Sequence, residues 1–244
     1  MRVAILSDIH ANFQALEAVM RDIKNNNCET ILCLGDLAMA GPEPEKVIDF
    51  VKKQNNWTVI QGNTDELIAE FSQDLADTMK NKFPVMANAL EDDIKIISEN
   101  NKNFLKTLPK QKELEIEGVK ILLVHGSPRK NNEDILPDMP IEQIEEIIKG
   151  TNADVIFCGH THVPCGYQTN SKQTVVNVGS VGRPMTKNPN SCYCIADFKN
   201  NSFSVEHRFV DYDRNTASKL MSKRNFNGAE KLADMILNPK ERHA

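Results

Sequence analysis

The chain opens MRVAILSDIH (1–10), and TILCLGD (30–36) and WTVIQGN (57–63) follow the same pattern: an apolar run that stops at a polar or acidic residue beside a turn. Between these runs, Ala15 to Ile23 sets Leu16, Val19, Met20 and Ile23 at helical spacing. Glu43 to Gln54 does the same with Val47, Ile48 and Val51, and Pro44 suits its first turn. The first hundred residues therefore read as βαβαβ, the third strand closing at Ile60. Parallel α/β sheets bind ligands at the carboxyl ends of their strands, so Asp8, Asp36 and Asn63 are expected on one rim.

The alternation then breaks. Residues 65–108 read as helical throughout, carried by Leu67, Ile68, Phe71 and Leu75, then Leu90, Ile94 and Ile97, then Phe104 and Leu108. Breaks are expected at Phe83-Pro84 and at the Asn-rich stretch 100–103. This segment is expected to be a helical insertion near the rim, within a single domain spanning 1–244. Beyond it, Leu114 to Ile116 and Val119 to Val124 flank Gly118 as a hairpin or bulged pair. Ile141 to Ile148 reads as a helix between Pro140 and Gly150. Asp154 to Cys158, Val175 to Val178, Cys192 to Phe198 and Phe203 to Phe209 read as strands, and 213–244 as a charged helical tail.

Composition narrows the function classes. The chain has 244 residues, 40% hydrophobic and 26% charged, with a formal charge of -5. A chain of this length buries roughly 70–75% of its unfolded surface and needs no disulfide staples. Mixed charge of slight negative sign argues against general nucleic-acid binding. No apolar run is long enough to cross a membrane, and the short apolar start reads as a first strand rather than a signal peptide. The cysteines (28, 33, 158, 165, 192 and 194) form no CxxC pair, and we read them as reduced, in a cytoplasmic protein.

Five motifs share the strand-end pattern: Asp8-Ile9-His10, Gly35-Asp36, Gly62-Asn63, His125-Gly126 and Gly159-His160-Thr161-His162. They hold four of the six histidines; His207 and His243 lie outside them. In extended backbone, an i, i+2 pair points both side chains to one side, so Asp8 with His10 and His160 with His162 are plausible metal-ligand pairs. Imidazole, carboxylate and amide together suit Mn, Fe, Zn, Ni or Co better than Mg or Ca alone. Two carboxylates and a bridging hydroxide against two divalent ions leave about one net positive charge, which attracts a phosphate anion.

The order DxH, GD, GN, H, GHxH resembles the calcineurin-like metallophosphoesterase superfamily, in particular its small bacterial and archaeal phosphodiesterase-like members. The resemblance runs from Arg2 to about Phe209 and includes Asn12, His125-Gly126-Ser127-Pro128-Arg129 and Asn177-Val178-Gly179-Ser180-Val181-Gly182-Arg183-Pro184. It implies an α/β fold of four layers, α/β/β/α, with two mixed sheets and a dinuclear metal site at the strand ends. Carried over by position, one ion takes Asp8, His10, Asp36 and His162, and the second takes Asp36, Asn63, His125 and His160, with Asp36 bridging. Asp36, Asn63 and His125 are the implied catalytic residues. Ions roughly 3.5–4 Å apart clamp a phosphate and lower the pKa of a bridging water for in-line attack. Two divalent transition-metal ions are thus expected (Mn, Fe, Ni or Zn, with Mn favoured).

One position departs from the family. Many members read GNH followed by an acid, where the His assists the leaving group; here the segment is Gly62-Asn63-Thr64-Asp65. Threonine is no general acid at neutral pH, so simple alkyl monoesters should react poorly. Arg129 and Arg183 follow turn motifs and are candidate phosphate grips. Asn12 caps the next helix and is a candidate substrate contact. The expected activity is metal-dependent hydrolysis of a small phosphodiester or phosphoanhydride, nucleotides included. A protein Ser/Thr phosphatase is the alternative enzyme, opposed by the short chain and missing His. A scaffold with a dead site is opposed by the complete ligand set.

Overall fold

The computed structural model describes residues 1–242; His243 lies outside the described residues. Strands β1 (Arg2–Leu6), β2 (Thr30–Cys33) and β3 (Trp57–Val59) alternate with helices α1 (Phe13–Asn25) and α2 (Pro44–Lys52). Four helices follow: α3 (Asn63–Ala69), α4 (Gln73–Lys82), α5 (Pro84–Ile96) and α6 (Glu99–Thr107). Then come β4 (Gln111–Ile116), β5 (Val119–Val124), α7 (Ile141–Ile148), β6 (Val155–Cys158), β7 (Cys165–Gln168) and β8 (Thr174–Asn177). The chain closes with β9 (Ser191–Lys199), β10 (Ser202–Val210), α8 (Arg214–Met221) and α9 (Ala229–Leu237).

The strands form two five-stranded sheets, β10-β9-β1-β2-β3 and β4-β5-β6-β8-β7. Both are mixed: β1, β2 and β3 run parallel with β9 antiparallel to β1, and β5, β6 and β8 run parallel with β4 and β7 antiparallel at the edges. Side-chain alternation assigns the layers. Val3 and Ile5 of β1 pack against Ile121 and Leu123 of β5 and Phe157 of β6 between the sheets. Ala4 and Leu6 face the other way, into helices α1, α2, α5, α6, α8 and α9. Leu122, Val124 and Ile156 face Ile144, Ile147 and Ile148 of α7. The expected α/β/β/α sandwich of two mixed sheets is what forms.

Two local expectations need correction. The Asn-rich stretch 100–103 lies inside α6; the break falls earlier, at Ile97-Ser98, where the Ser98 hydroxyl caps the helix by accepting from Asn101 N. Asn101 is tolerated there because it is buried and donates to Asp49 Oδ1 at 2.8 Å. Strand β7 was not expected; it is a four-residue edge strand with every second residue exposed. The Gly118 hairpin is confirmed, with β4 starting earlier, at Gln111.

The C-terminal helices are bolted to α5. The Arg224 guanidinium donates to Asp92 Oδ2 (2.7 Å), Asp93 Oδ1 (2.6 Å) and the Gly41 carbonyl (2.6 Å). Asp93 is fully buried, and burial outweighs Arg224 and pushes its pKa from 3.8 up to about 6. Removing one partner of a buried pair costs ~3–5 kcal/mol, so Arg224→Ala should lose about that much at pH 8. A carboxyl whose folded pKa lies above its unfolded value costs stability above the folded pKa, and the cost fades as pH falls through it. Urea unfolding should therefore show a clearly smaller loss for Arg224→Ala at pH 5 than at pH 8. An equal loss at both would show that Asp93 is not the group left uncompensated.

Candidate metal centre

The five motifs meet at the carboxyl ends of both sheets. Asp8 and His10 follow β1, Asp36 follows β2, Asn63 opens α3 after β3, His125 follows β5, and His160 and His162 follow β6. The loops approach one another closely enough to explain the glycines within the motifs. A Cβ on Gly62 would sit 2.1 Å from Asp36 Oδ1, and one on Gly159 would sit 2.5 Å from Asp8 Oδ2.

The backbone does not place the paired ligands as expected. Asp8, His10, His160 and His162 are not extended; their φ angles are 56, 44, 66 and 62°, and Asp36 has 54°. Non-glycine residues in the left-handed region are uncommon and cost on the order of 1–3 kcal/mol each where the surroundings hold them there. Five of the seven candidate ligands share this conformation. Tight left-handed turns, not strand alternation, set where these side chains point.

Three imidazoles are fixed by main-chain carbonyls at Nδ1: His10 by Met39 O (3.0 Å), His125 by Leu34 O (2.7 Å) and His162 by Arg183 O (2.6 Å). A carbonyl only accepts, so each Nδ1 carries a proton and each Nε2 turns inward. There they meet one another and the oxygens of the site. His10 Nε2 lies 3.1 Å from His162 Nε2, His162 Nε2 3.1 Å from Asp8 Oδ1, and His125 Nε2 3.1 Å from Asn63 Oδ1. Asp36 Oδ2 stands between the halves, 3.6 Å from His10 Nε2 and 3.4 Å from His125 Nε2. Asp8 Oδ1 is buried without a hydrogen-bond partner.

Two three-residue groups have the geometry to hold an ion: Asp8, His10 and His162, and Asp8, Asp36 and His125. Asp8 belongs to both, and Asp36 touches histidines of both. His160 is turned differently: its Nε2 lies 3.3 Å from Asp134 Oδ1, with its ring 5.5 Å from that of His125. Inward-turned ring nitrogens beside two buried carboxylates, one with an orphaned oxygen, fit divalent cations.

The electrostatics agree. Burial draws His10 down to about 4. Burial also opposes charge on His125, but Asp36 and Asp8 overcome it and push the ring up to about 10. Asp36 falls to about 2 against its own burial, because of His125. Asp36 and Asp8 thus favour positive charge beside His125.

Sequence reasoning missed the groups that shape the loops. Asp65 accepts from Asp36 N (2.8 Å), Leu37 N (2.9 Å) and Gly62 N (3.0 Å), tying the β2 and β3 loops together. Its position three residues after the helix cap was the available signal. Asn177 donates to Gly159 O (2.8 Å) and Thr161 Oγ1 (2.8 Å), bracing the His160–His162 turn. Thr64 is buried, its hydroxyl donating to Ala38 O at 3.0 Å. His207 is structural, hydrogen-bonded to Asn177 O at 2.7 Å.

The proposed substrate contacts separate. Arg129 is taken by Glu133, at 3.0 Å from Nε and 2.5 Å from Nη2. Asn12 caps α1 through Ala15 N (3.1 Å), and its amide donates to Gly182 O (2.9 Å) and Tyr212 Oη (3.2 Å). Neither keeps a group spare for substrate. Arg183 does. The other seven arginines all pair with a carboxylate, whereas Arg183 has none within 4 Å among the described residues. It lines a recess together with His10.

Comparison with known proteins follows the same residues. The family model for the calcineurin-like phosphoesterase superfamily domain matches residues 1–201. An uncharacterized protein of Methanocaldococcus jannaschii is 30% identical over 227 residues, covering 86% of this chain and 88% of the relative. A hypothetical protein of Pyrococcus horikoshii shares the fold with a TM-score of 0.85, at 24% identity over 96% of this chain and 97% of its own. A metallophosphoesterase of Sphaerobacter thermophilus does so with 0.77, at 24% identity over 97% and 98%. With all five motifs inside the matched span and their side chains gathered on one rim, the chain belongs to the calcineurin-like phosphoesterase superfamily.

Proposed function

We propose that the protein is a metal-dependent phosphoesterase acting on phosphodiester or phosphoanhydride bonds of small substrates. The observation that carries this is the convergence of ring nitrogens and carboxylate oxygens around the buried Asp8 Oδ1, which has no hydrogen-bond partner. Asp8, His10, Asp36 and His162 would hold one ion, and Asp36, Asn63, His125 and His160 the other, with Mn favoured. Such ions supply Lewis acidity toward phosphoryl oxygens and a nucleophile from water at neutral pH.

The chain's own groups do the rest. The Nδ1 bonds of His10, His125 and His162 keep three rings from turning away. Arg183 brings an uncommitted guanidinium beside His10, suited to two parallel bonds with phosphate oxygens. Thr64 brings no proton to the leaving oxygen, since its hydroxyl points at Ala38 O.

Two experiments test this reading. Mn-loaded protein should hydrolyse bis(p-nitrophenyl) phosphate and lose that activity in chelator; absence of turnover with Mn, Fe, Ni and Zn alike would refute it. Melting is the second. A ligand at 100 times its Kd stabilises by about 2.7 kcal/mol, and each kcal/mol moves Tm by ~2–4 °C at this size. Saturating Mn should therefore raise Tm by ~5–10 °C, and Asp8→Asn should abolish most of that rise.

A further inference from the structure

Arg183 also opens onto a second space. Its Nη1 lies 3.6 Å from Met86 Sδ on α5, in a cleft between the α4–α5 corner and α9 that encloses about 250 Å³. Val85, Met86, Leu232 and Met235 make the apolar part of the cleft, and Phe83 stands at its edge. Phe83 is 61% exposed, the most exposed large apolar side chain in the described chain. The cleft's cations are Arg183, Lys82 and Lys231, and no acidic residue lines it. Neither lysine has a carboxylate within 4 Å among the described residues. In a chain of formal charge -5, an acid-free cleft with three uncommitted cations is a local inversion of sign.

The walls are held in place. A Cβ on Gly228, just before α9, would lie 2.7 Å from Val85, so the helix start packs directly on α5. Asn88 on α5 donates to Asn227 O at 2.9 Å, and Arg224 fixes the neighbouring turn to Asp92 and Asp93. The cleft is a preformed recess, of a size just below the roughly 300 Å³ at which ligand pockets begin.

Resting on the functional reading above, we propose that this cleft is the subsite for the organic group retained on the phosphate, and that the group is a nucleoside. The base stacks on Phe83, the sugar lies over Val85 and Met235, and Arg183 holds the phosphate between cleft and metal centre. Lys82 and Lys231 face any further phosphates of a nucleotide chain. Aromatic stacking surface beside cations is the combination that nucleic-acid strands engage, and an alkyl group would leave the exposed Phe83 face unstacked.

Two esters with one leaving group test this: thymidine 5′-(p-nitrophenyl phosphate) and methyl p-nitrophenyl phosphate, each with Mn-loaded protein. Wild type should favour the thymidine ester in kcat/KM. Base stacking contributes ~1–3 kcal/mol, so Phe83→Ala should raise KM for that ester by ~5–150-fold with kcat kept. The methyl ester should be unaffected. Equal kcat/KM for both esters in wild type, or equal losses on both in Phe83→Ala, would overturn the subsite while leaving the phosphoesterase reading intact. If neither ester is turned over, that reading fails, and calorimetric binding of thymidine 5′-phosphate decides the subsite: weakened binding in Phe83→Ala supports it, and no binding to wild type overturns it.

Discussion

Asp36→Asn should reduce phosphodiester hydrolysis by ~10³-fold or more while leaving the fold intact. Asp36 Oδ2 sits between the two halves of the centre, 3.6 Å from His10 Nε2 and 3.4 Å from His125 Nε2. Its other oxygen accepts from Thr64 N at 2.8 Å, a bond that the asparagine carbonyl keeps. The substitution therefore removes charge at nearly constant shape. Lewis-acid stabilisation of phosphoryl charge is worth several kcal/mol, and 1.36 kcal/mol is a factor of ten, so weakening both ion positions reaches that size. Circular dichroism should be unchanged, and ion content should fall at both positions. His160→Ala should weaken only the second ion. Activity within a few-fold of wild type in Asp36→Asn would remove Asp36 from the mechanism.

The second large effect concerns the leaving group. At the sequence position of the family's histidine, Thr64 is turned inward, and the oxygens of nearby Asp65 are engaged by three main-chain N–H groups. A positioned acid typically contributes about 10²–10⁴-fold. Rates should fall steeply as the leaving group becomes more basic, leaving alkyl esters slower than aryl esters and nucleotide anhydrides by at least that factor. The check is log kcat/KM against leaving-group pKa over a series of phosphodiesters. A flat line would mean that another group already supplies the proton. Because Thr64 is buried against Ala38 O, Thr64→His should restore alkyl-ester activity only if the imidazole swings to the rim.

Much of this architecture is legible in the sequence because each ligand sits where an apolar run stops. Asp8, Asp36 and Asn63 could be placed on one rim from strand ends and parallel topology, and His125, His160 and His162 joined them through the family resemblance. Three things were not legible. The left-handed backbone at Asp8, His10 and His162 has no local signature, as Asp and His reach that region only when surrounding loops compel them. Asn101 inside α6 reads as a breaker until Asp49 is brought alongside by tertiary packing, an override of weak intrinsic propensity. The difference between Arg129 and Arg183 depends on partners. Glu133, four residues on, captures Arg129, whereas no carboxylate comes within reach of Arg183 among the described residues.

On the proposed function, this rim holds a pair of divalent ions. The most direct test is metal content of the purified chain after reconstitution with Mn and removal of free ion, measured by inductively coupled plasma mass spectrometry against protein concentration. The account predicts close to two ions per chain in wild type, with Asp8→Asn and Asp36→Asn both well below that. A wild-type value that stays at zero after Mn, Fe, Ni and Zn in turn would contradict it.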